Sequence, residues 1–218
     1  MKHLILLISL SALGCSILSA ATPQKVKPLF WPDSRLLPVQ VTERLAMADG
    51  IEFSITEFNN SELPLFSTSL KGWKQVGRLS HRNASAAFEN KLIAELKTGM
   101  SLIRAKDWLG ELNRETLLQY TIGIQNLHPG RVTVLNADTG FAPIGGSGFF
   151  AGKPYKLVHY QIASESDPKK VIEVRDFITQ VDDLLIIMSF ENPKGTADRH
   201  SGMALNMLDS ITRLDELE

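Results

Sequence analysis

A glycine-rich stretch, Gly145-Gly146-Ser147-Gly148-Phe149-Phe150-Ala151-Gly152, holds residue types that phosphate binding and serine catalysis both use. Its G-x-G-x-x-A string could form a dinucleotide-binding turn, in which backbone amides and a helix N-terminus cradle a pyrophosphate. That turn needs a strand before it, a helix opening at the third small residue, and an acidic residue about 20 positions on. Here a strand follows instead, from Tyr155, so the string reads as a turn and no cofactor is expected. Ser147 also approaches a nucleophile elbow, but Phe149 stands where G-x-S-x-G requires its last glycine.

Other chemistry-bearing residues are spread out. His81, His128, His159 and His200 show neither H-x-H nor H-x-x-x-H spacing, so no metal site is expected from them. His159 falls on the polar face of its strand, where an exposed histidine with no catalytic task is the ordinary case. Asp182-Asp183 supplies two adjacent carboxylates, short of the six to eight oxygens that calcium gathers, and reads as a solvated turn. Phe141, Phe149 and Phe150 flank the glycines. Large rings at such a rim serve as anchors for a partner, unless they fold back over the sheet. Catalytic, cofactor-binding and metal-ligating residues are therefore expected to be none, with Phe141, Phe149 and Phe150 as the candidate partner-binding set.

The elements that must position these residues follow from periodicity. Prolines 23, 28, 32 and 38 forbid a continuous helix and make residues 22–50 an extended lead-in. Ile51, Phe53 and Ile55 alternate with polar residues as a strand does, and Asn59-Asn60-Ser61 ends it. A short strand is expected within 70–79 and another over 100–105. Asn113 caps a helix running to Leu127, with Leu117, Tyr120, Ile124 and Leu127 on one stripe, and His128-Pro129-Gly130 stops it. Val132 and Val134 give a short strand, and Tyr155 to Ile162 a longer one. Residues 171–181 and 184–190 form a hairpin turning at Asp182-Asp183. A last helix over 197–214 places Ala204, Met207, Leu208 and Ile211 on one stripe. Strands clustered in the second half, without βαβ alternation, predict an α+β fold: a mostly antiparallel sheet with helices packed on one face.

Length and composition bound the rest. With 218 residues, 44% hydrophobic and 22% charged, the chain suits one domain, 51–218, behind the lead-in. A net charge of −1 gives no global attraction to nucleic acid, and no basic patch stands out in the sequence. One cysteine excludes an intrachain disulfide framework. Met1-Lys2-His3, an apolar run to Leu13 and small residues at Ser19-Ala20-Ala21 read as a signal peptide over 1–21, because the run is too short and serine-broken for a membrane span. Cleavage after Ala21 would yield a soluble periplasmic or secreted protein. Alternatively, Ala12-Leu13-Gly14-Cys15 is similar to a lipobox, and Cys15 would then be lipidated and tie the chain to the membrane.

The order of elements carries a resemblance. A helix at Glu115-Thr116-Leu117-Leu118-Gln119-Tyr120 is followed by a short strand, a glycine-rich turn and Gly152-Lys153-Pro154-Tyr155 entering a strand. A hairpin then ends in Ile186-Ile187-Met188-Ser189-Phe190-Glu191-Asn192-Pro193, and Met207-Leu208-Asp209-Ser210-Ile211 closes the pattern. This resembles the PsbP-like and DcrB-like family of exported α/β/α sandwich domains over residues 95–214, while 22–90 depart from that family's aromatic-rich opening. The resemblance implies a scaffold that binds an envelope protein, usually without catalysis, and it carries over no site residue. The competing expectation is a small periplasmic hydrolase or ligand-binding enzyme using Ser147 or His159.

Overall fold

A computed structural model describes residues 28–93, 95–138 and 150–214. The expected signal peptide, Cys15, Phe141, Ser147 and Phe149 lie outside the described residues. Eleven strands and two α-helices are described: β1 Gln40–Ala48, β2 Ile51–Asn59, β3 Leu65–Ser67, β4 Trp73–Val76, β5 Ala86–Asn90, β6 Lys97–Arg104, α1 Arg114–Leu127, β7 Val132–Asp138, β8 Lys156–Ala163, β9 Val171–Val181, β10 Leu184–Pro193, α2 Ser201–Ser210 and β11 Ile211–Arg213. Seven strands form one sheet in the order β4-β5-β6-β10-β9-β8-β7, and a smaller one runs β1-β2-β3-β11. Every pairing between these strands is antiparallel.

The centre of the large sheet is β10, and its sequence explains the place. Leu184 to Phe190 is an almost unbroken apolar run, which suits a strand covered on both faces. Leu184, Ile186, Met188 and Phe190 face α2 and the small sheet, where they meet Met207 and Leu208. Leu185 and Ile187 face α1 and meet Leu117, Tyr120 and Ile124. The α+β expectation holds, with one correction: helices cover both faces rather than one, because two apolar stripes of alternating parity on β10 each need a lid.

Local chemistry sets the boundaries. The Asn113 side chain accepts from the amides of Glu115 and Thr116, and the Thr116 hydroxyl accepts from the Asn113 amide, closing a capping box at the start of α1. Asp182 takes φ +51° in the β9–β10 turn. The last helix begins at Ser201 and stops at Ser210, shorter than the expected 197–214, because Ile211–Arg213 pair with β3 and satisfy their backbone there. Of the expected lead-in, residues 28–50 are described, and they hold a 3-10 turn at Asp33–Arg35 before β1. Gln40–Ala48 is a strand of the small sheet, joined to β2 through Asp49 (φ +51°) and Gly50 (φ +75°), the positive-φ pair that a tight hairpin needs. Gly99 sits inside β6, where an added Cβ would lie 3.0 Å from the Ala86 carbonyl oxygen and 3.1 Å from Leu79.

Candidate functional site

On the α1 side of the large sheet, the inward stripes of β8, β9 and β10 are interrupted by Tyr160, Asp176, Ser189 and Glu191, all buried. A carboxylate there needs a cation, and the segment between β4 and β5 supplies Arg82, itself buried. Its Nη2 donates to Asp176 Oδ1 at 3.0 Å. Nη2 also donates to Ser189 Oγ and Nη1 to the Tyr120 hydroxyl. The guanidinium lies 3.8 Å from the centroid of the Trp31 ring, which is how the lead-in docks. Tyr120 and Tyr160 both donate to Asp176 Oδ2, each at 2.6 Å. Burial alone would lower the Arg82 pKa, but Asp176 and the two tyrosines raise it, so Arg82 stays charged. Burial, with the Asp176 charge beside them, pushes both phenols well above their ordinary range.

The network continues outward through His81. Tyr160 gives its proton to Asp176, so its oxygen accepts from His81 Nε2 at 3.0 Å. His81 Nδ1 lies against Glu191 on its other side. Glu191 also accepts the Ser80 amide at 3.0 Å and the His81 amide at 3.2 Å. Burial pushes the Glu191 carboxyl up, but the His81 charge and these donors outweigh it and hold it at about 2. The His128 ring lies 6.2 Å from that of His81. Its Nδ1 accepts from Arg131 at 3.2 Å, which leaves the proton on the buried Nε2. Burial first, then the charges of His81, Arg131 and Arg78, lowers the His128 pKa to about 4, so the ring is neutral at physiological pH.

His81 and His128 line the floor of a cleft of about 960 Å³ at the end of the sheet where β6, β7 and β9 begin and β8 and β10 finish. Its walls carry Arg78, Lys97, Arg131, Lys169, Lys170 and Lys194 against two carboxylates, Glu95 and Glu165. Among the described residues, only Arg131 of these cations has an ion pair, with Glu165 at 3.7 Å. The sequence shows no basic patch because these six come from five separate segments, and only Lys169 and Lys170 are neighbours. This local positive surface is a correction to the sequence reading.

The expected site residues fall elsewhere. Phe150 is 1% exposed and packs in the core with Phe177 and Leu184, so the ring folds inward and is no rim anchor. Burying a whole aromatic ring outweighs leaving it at the rim. His159 is half-buried on β8 and pairs with Glu173 at 2.5 Å. Glu173 is taken further by the Gly195 amide at 2.8 Å, so this pair ties β8 to β9 and the loop after β10. Asp183 pairs with Arg104 at 3.3 Å and Lys106 at 3.4 Å. Among the described residues, no three His, Cys, Asp or Glu side chains are grouped to hold a metal. No helix among them is long and apolar enough to cross a membrane.

Sequence reasoning missed Arg82, Asp176, Glu191 and the cationic walls. The parity of Asp176 and Glu191 was the available signal, because each continues an apolar stripe and so requires a buried partner.

No protein-family model and no curated protein matches the sequence. Solved structures match at the level of fold. Cyanobacterial PsbP (CyanoP) from Synechocystis sp. PCC 6803 superposes with a TM-score of 0.52 at 10% identity, covering 77% of this chain and 97% of that one. The Saccharomyces cerevisiae Ran-binding protein Mog1p gives 0.43 at 10% identity, covering 82% of this chain and 99% of that one. LpqN, involved in cell envelope biogenesis of Mycobacterium tuberculosis, gives 0.41 at 12% identity over 80% of this chain and 91% of that one. The chain has a PsbP-like fold.

Proposed function

We propose that this chain is an exported, non-catalytic binding module of the cell envelope, which holds a partner protein in the basic cleft. The observation that carries the reading is the division of labour at that cleft. Among the described residues, five of its six wall cations have no ion pair, whereas the ionisable groups behind its floor are used up in holding the fold. His81, Glu191, Tyr160, Asp176 and Arg82 satisfy one another, and His128 is too weak a base at a pKa of about 4 to take a proton near neutrality. Ser164 and Ser166 line the cleft and bond to each other at 3.1 Å. Such a surface holds a ligand by charge, and among the described residues neither Ser164 nor Ser166 is hydrogen-bonded to a histidine or carboxylate as a nucleophile–base pair would be.

Export is supported by the charged start, the apolar run to Leu13 and the small residues at 19–21. Phe141 and Phe149 belong to the proposal as apolar anchors of the same module, and Phe150 does not. One experiment tests the reading: a photo-cross-linking amino acid at Ser166, in the full chain expressed in its native cell. The expected result is a discrete adduct in the envelope fraction, on a chain that has lost residues 1–21 or begins at a lipidated Cys15. A chain that keeps Met1 and stays in the cytosol, or an envelope chain that forms no adduct, overturns it.

A further inference from the structure

We infer that the occupant of the basic cleft is an acidic, extended polypeptide segment of the partner. This rests on the reading of the chain as a binding module. Charge complementarity gives the sign, because six cations face two carboxylates in a chain whose net charge is −1. The arrangement of the charges gives the class. Four of the six are lysines, point charges on flexible stems, and Lys169, Lys170 and Lys194 are exposed at the rim. An ammonium meets a phosphate only as a point charge, without the bidentate fork of an arginine. The helix end that reaches the floor is the C-terminus of α1, ending at His128, and its negative dipole end opposes a compact anion placed there. Carboxylates spaced along a chain avoid the floor and meet the rim lysines one at a time.

The lining also includes the aliphatic Ile162, Val171 and Ile172. An acidic segment with interspersed aliphatic residues matches both features. No Phe, Tyr or Trp lines the cleft among the described residues, so nucleic-acid bases would find no stacking platform.

The probe is a fluorescein-labelled peptide of three Glu-Glu-Leu-Asp repeats, titrated by anisotropy into the exported form of the chain. Expected are saturable binding that weakens with salt, and no binding of the same peptide with Gln and Asn for its acids. Lys169→Glu with Lys170→Glu should weaken binding about tenfold or more. Both side chains are exposed, and circular dichroism confirms that the variant folds. The control is Arg35→Glu with Arg114→Glu, an equal charge change at exposed sites distant from the cleft, which should leave binding unchanged. The inference is overturned if the peptide does not bind or if both variants weaken it alike. Tripolyphosphate, oligothymidylate or anionic vesicles binding more tightly than the peptide would overturn it too. Should the peptide fail while the Ser166 adduct still forms in cells, this inference falls and the binding reading stands. Loss of both removes the reading itself.

Discussion

Asp176 is wholly buried and accepts from Arg82, Tyr120 and Tyr160, so one carboxylate fastens α1, β8 and the segment before β5 to β9. A buried ion pair is worth little against an apolar pair of the same shape, yet removing one partner strands the other charge. Asp176→Ala therefore leaves the Arg82 guanidinium in an interior with no anion and should lower stability by about 3–5 kcal/mol, read as a shift in the urea midpoint. Replacing both, with Arg82→Met and Asp176→Leu, should recover part of that loss, since neither member of the pair is then left as an unmatched buried charge. If the double variant is as unstable as the sum of the single ones, the account of the network as a compensated charge is wrong. Arg82 could not be placed from the sequence, because nothing local to 80–85 says which buried anion it will meet. Asp176 could have been, since it stands between Val174 and Ile178 on a stripe that is otherwise apolar.

The pairing of β10 with α2 makes a corresponding prediction for whole elements. Phe190 is 5% exposed, and its ring meets that of Phe177 edge-on at 5.7 Å. Phe190→Ala removes a ring from a packed layer and should cost about 3–5 kcal/mol. A thermal melt that does not move would sink the assignment of this face as core. Much of this layer was legible beforehand. The strand over 184–190 and the stripe through Met207 and Leu208 were expected, and in the structure Ile186, Met188 and Phe190 share one core layer with them, because apolar period and strand continuity are local signals. The α1 cap at Asn113 and the turn at Asp182-Asp183 were legible for the same reason. What escaped was pairing at a distance. β3 and β11 have three residues each and exist only because they complete one small sheet, so neither has a period to read. The β1–β2 hairpin was readable and was overlooked, since Asp49-Gly50 is a strong short-range turn signal that the prolines of the lead-in masked. Phe150 shows the converse limit: a glycine-rich neighbourhood suggested a rim, while its ring is packed in the core.

For the molecule as a whole, the two groups beside the cleft couple stability to pH in adjoining windows. His128 titrates at about 4 when folded, against 6.5 for an unperturbed histidine. Below 6.5 the unfolded chain therefore binds a proton that the folded chain refuses, and stability falls as pH drops until the folded pKa is passed. The loss from this group amounts to at most about 3 kcal/mol. Glu191 works in the lower window. Its folded value of about 2 lies below the ordinary 4.5, so it contributes stability above 4.5 that disappears as pH falls toward 2. Glu57, Asp183 and Asp198 are also held low by Arg44, by Lys106 and Arg104, and by Arg175, and they act in that same acid range. The window between 6.5 and 4.5 is thus the place to isolate His128. Urea midpoints should fall steadily from pH 7 to 4.5 in the native chain. In His128→Gln, which keeps a polar cap at the end of α1 without a titrating ring, the decline over that interval should be markedly shallower, while the fall below 4.5 persists. Parallel curves for the two proteins would mean that His128 is charged in the folded state. The floor of the cleft would then carry the His128 charge as well, and a compact anion seated there would no longer be opposed.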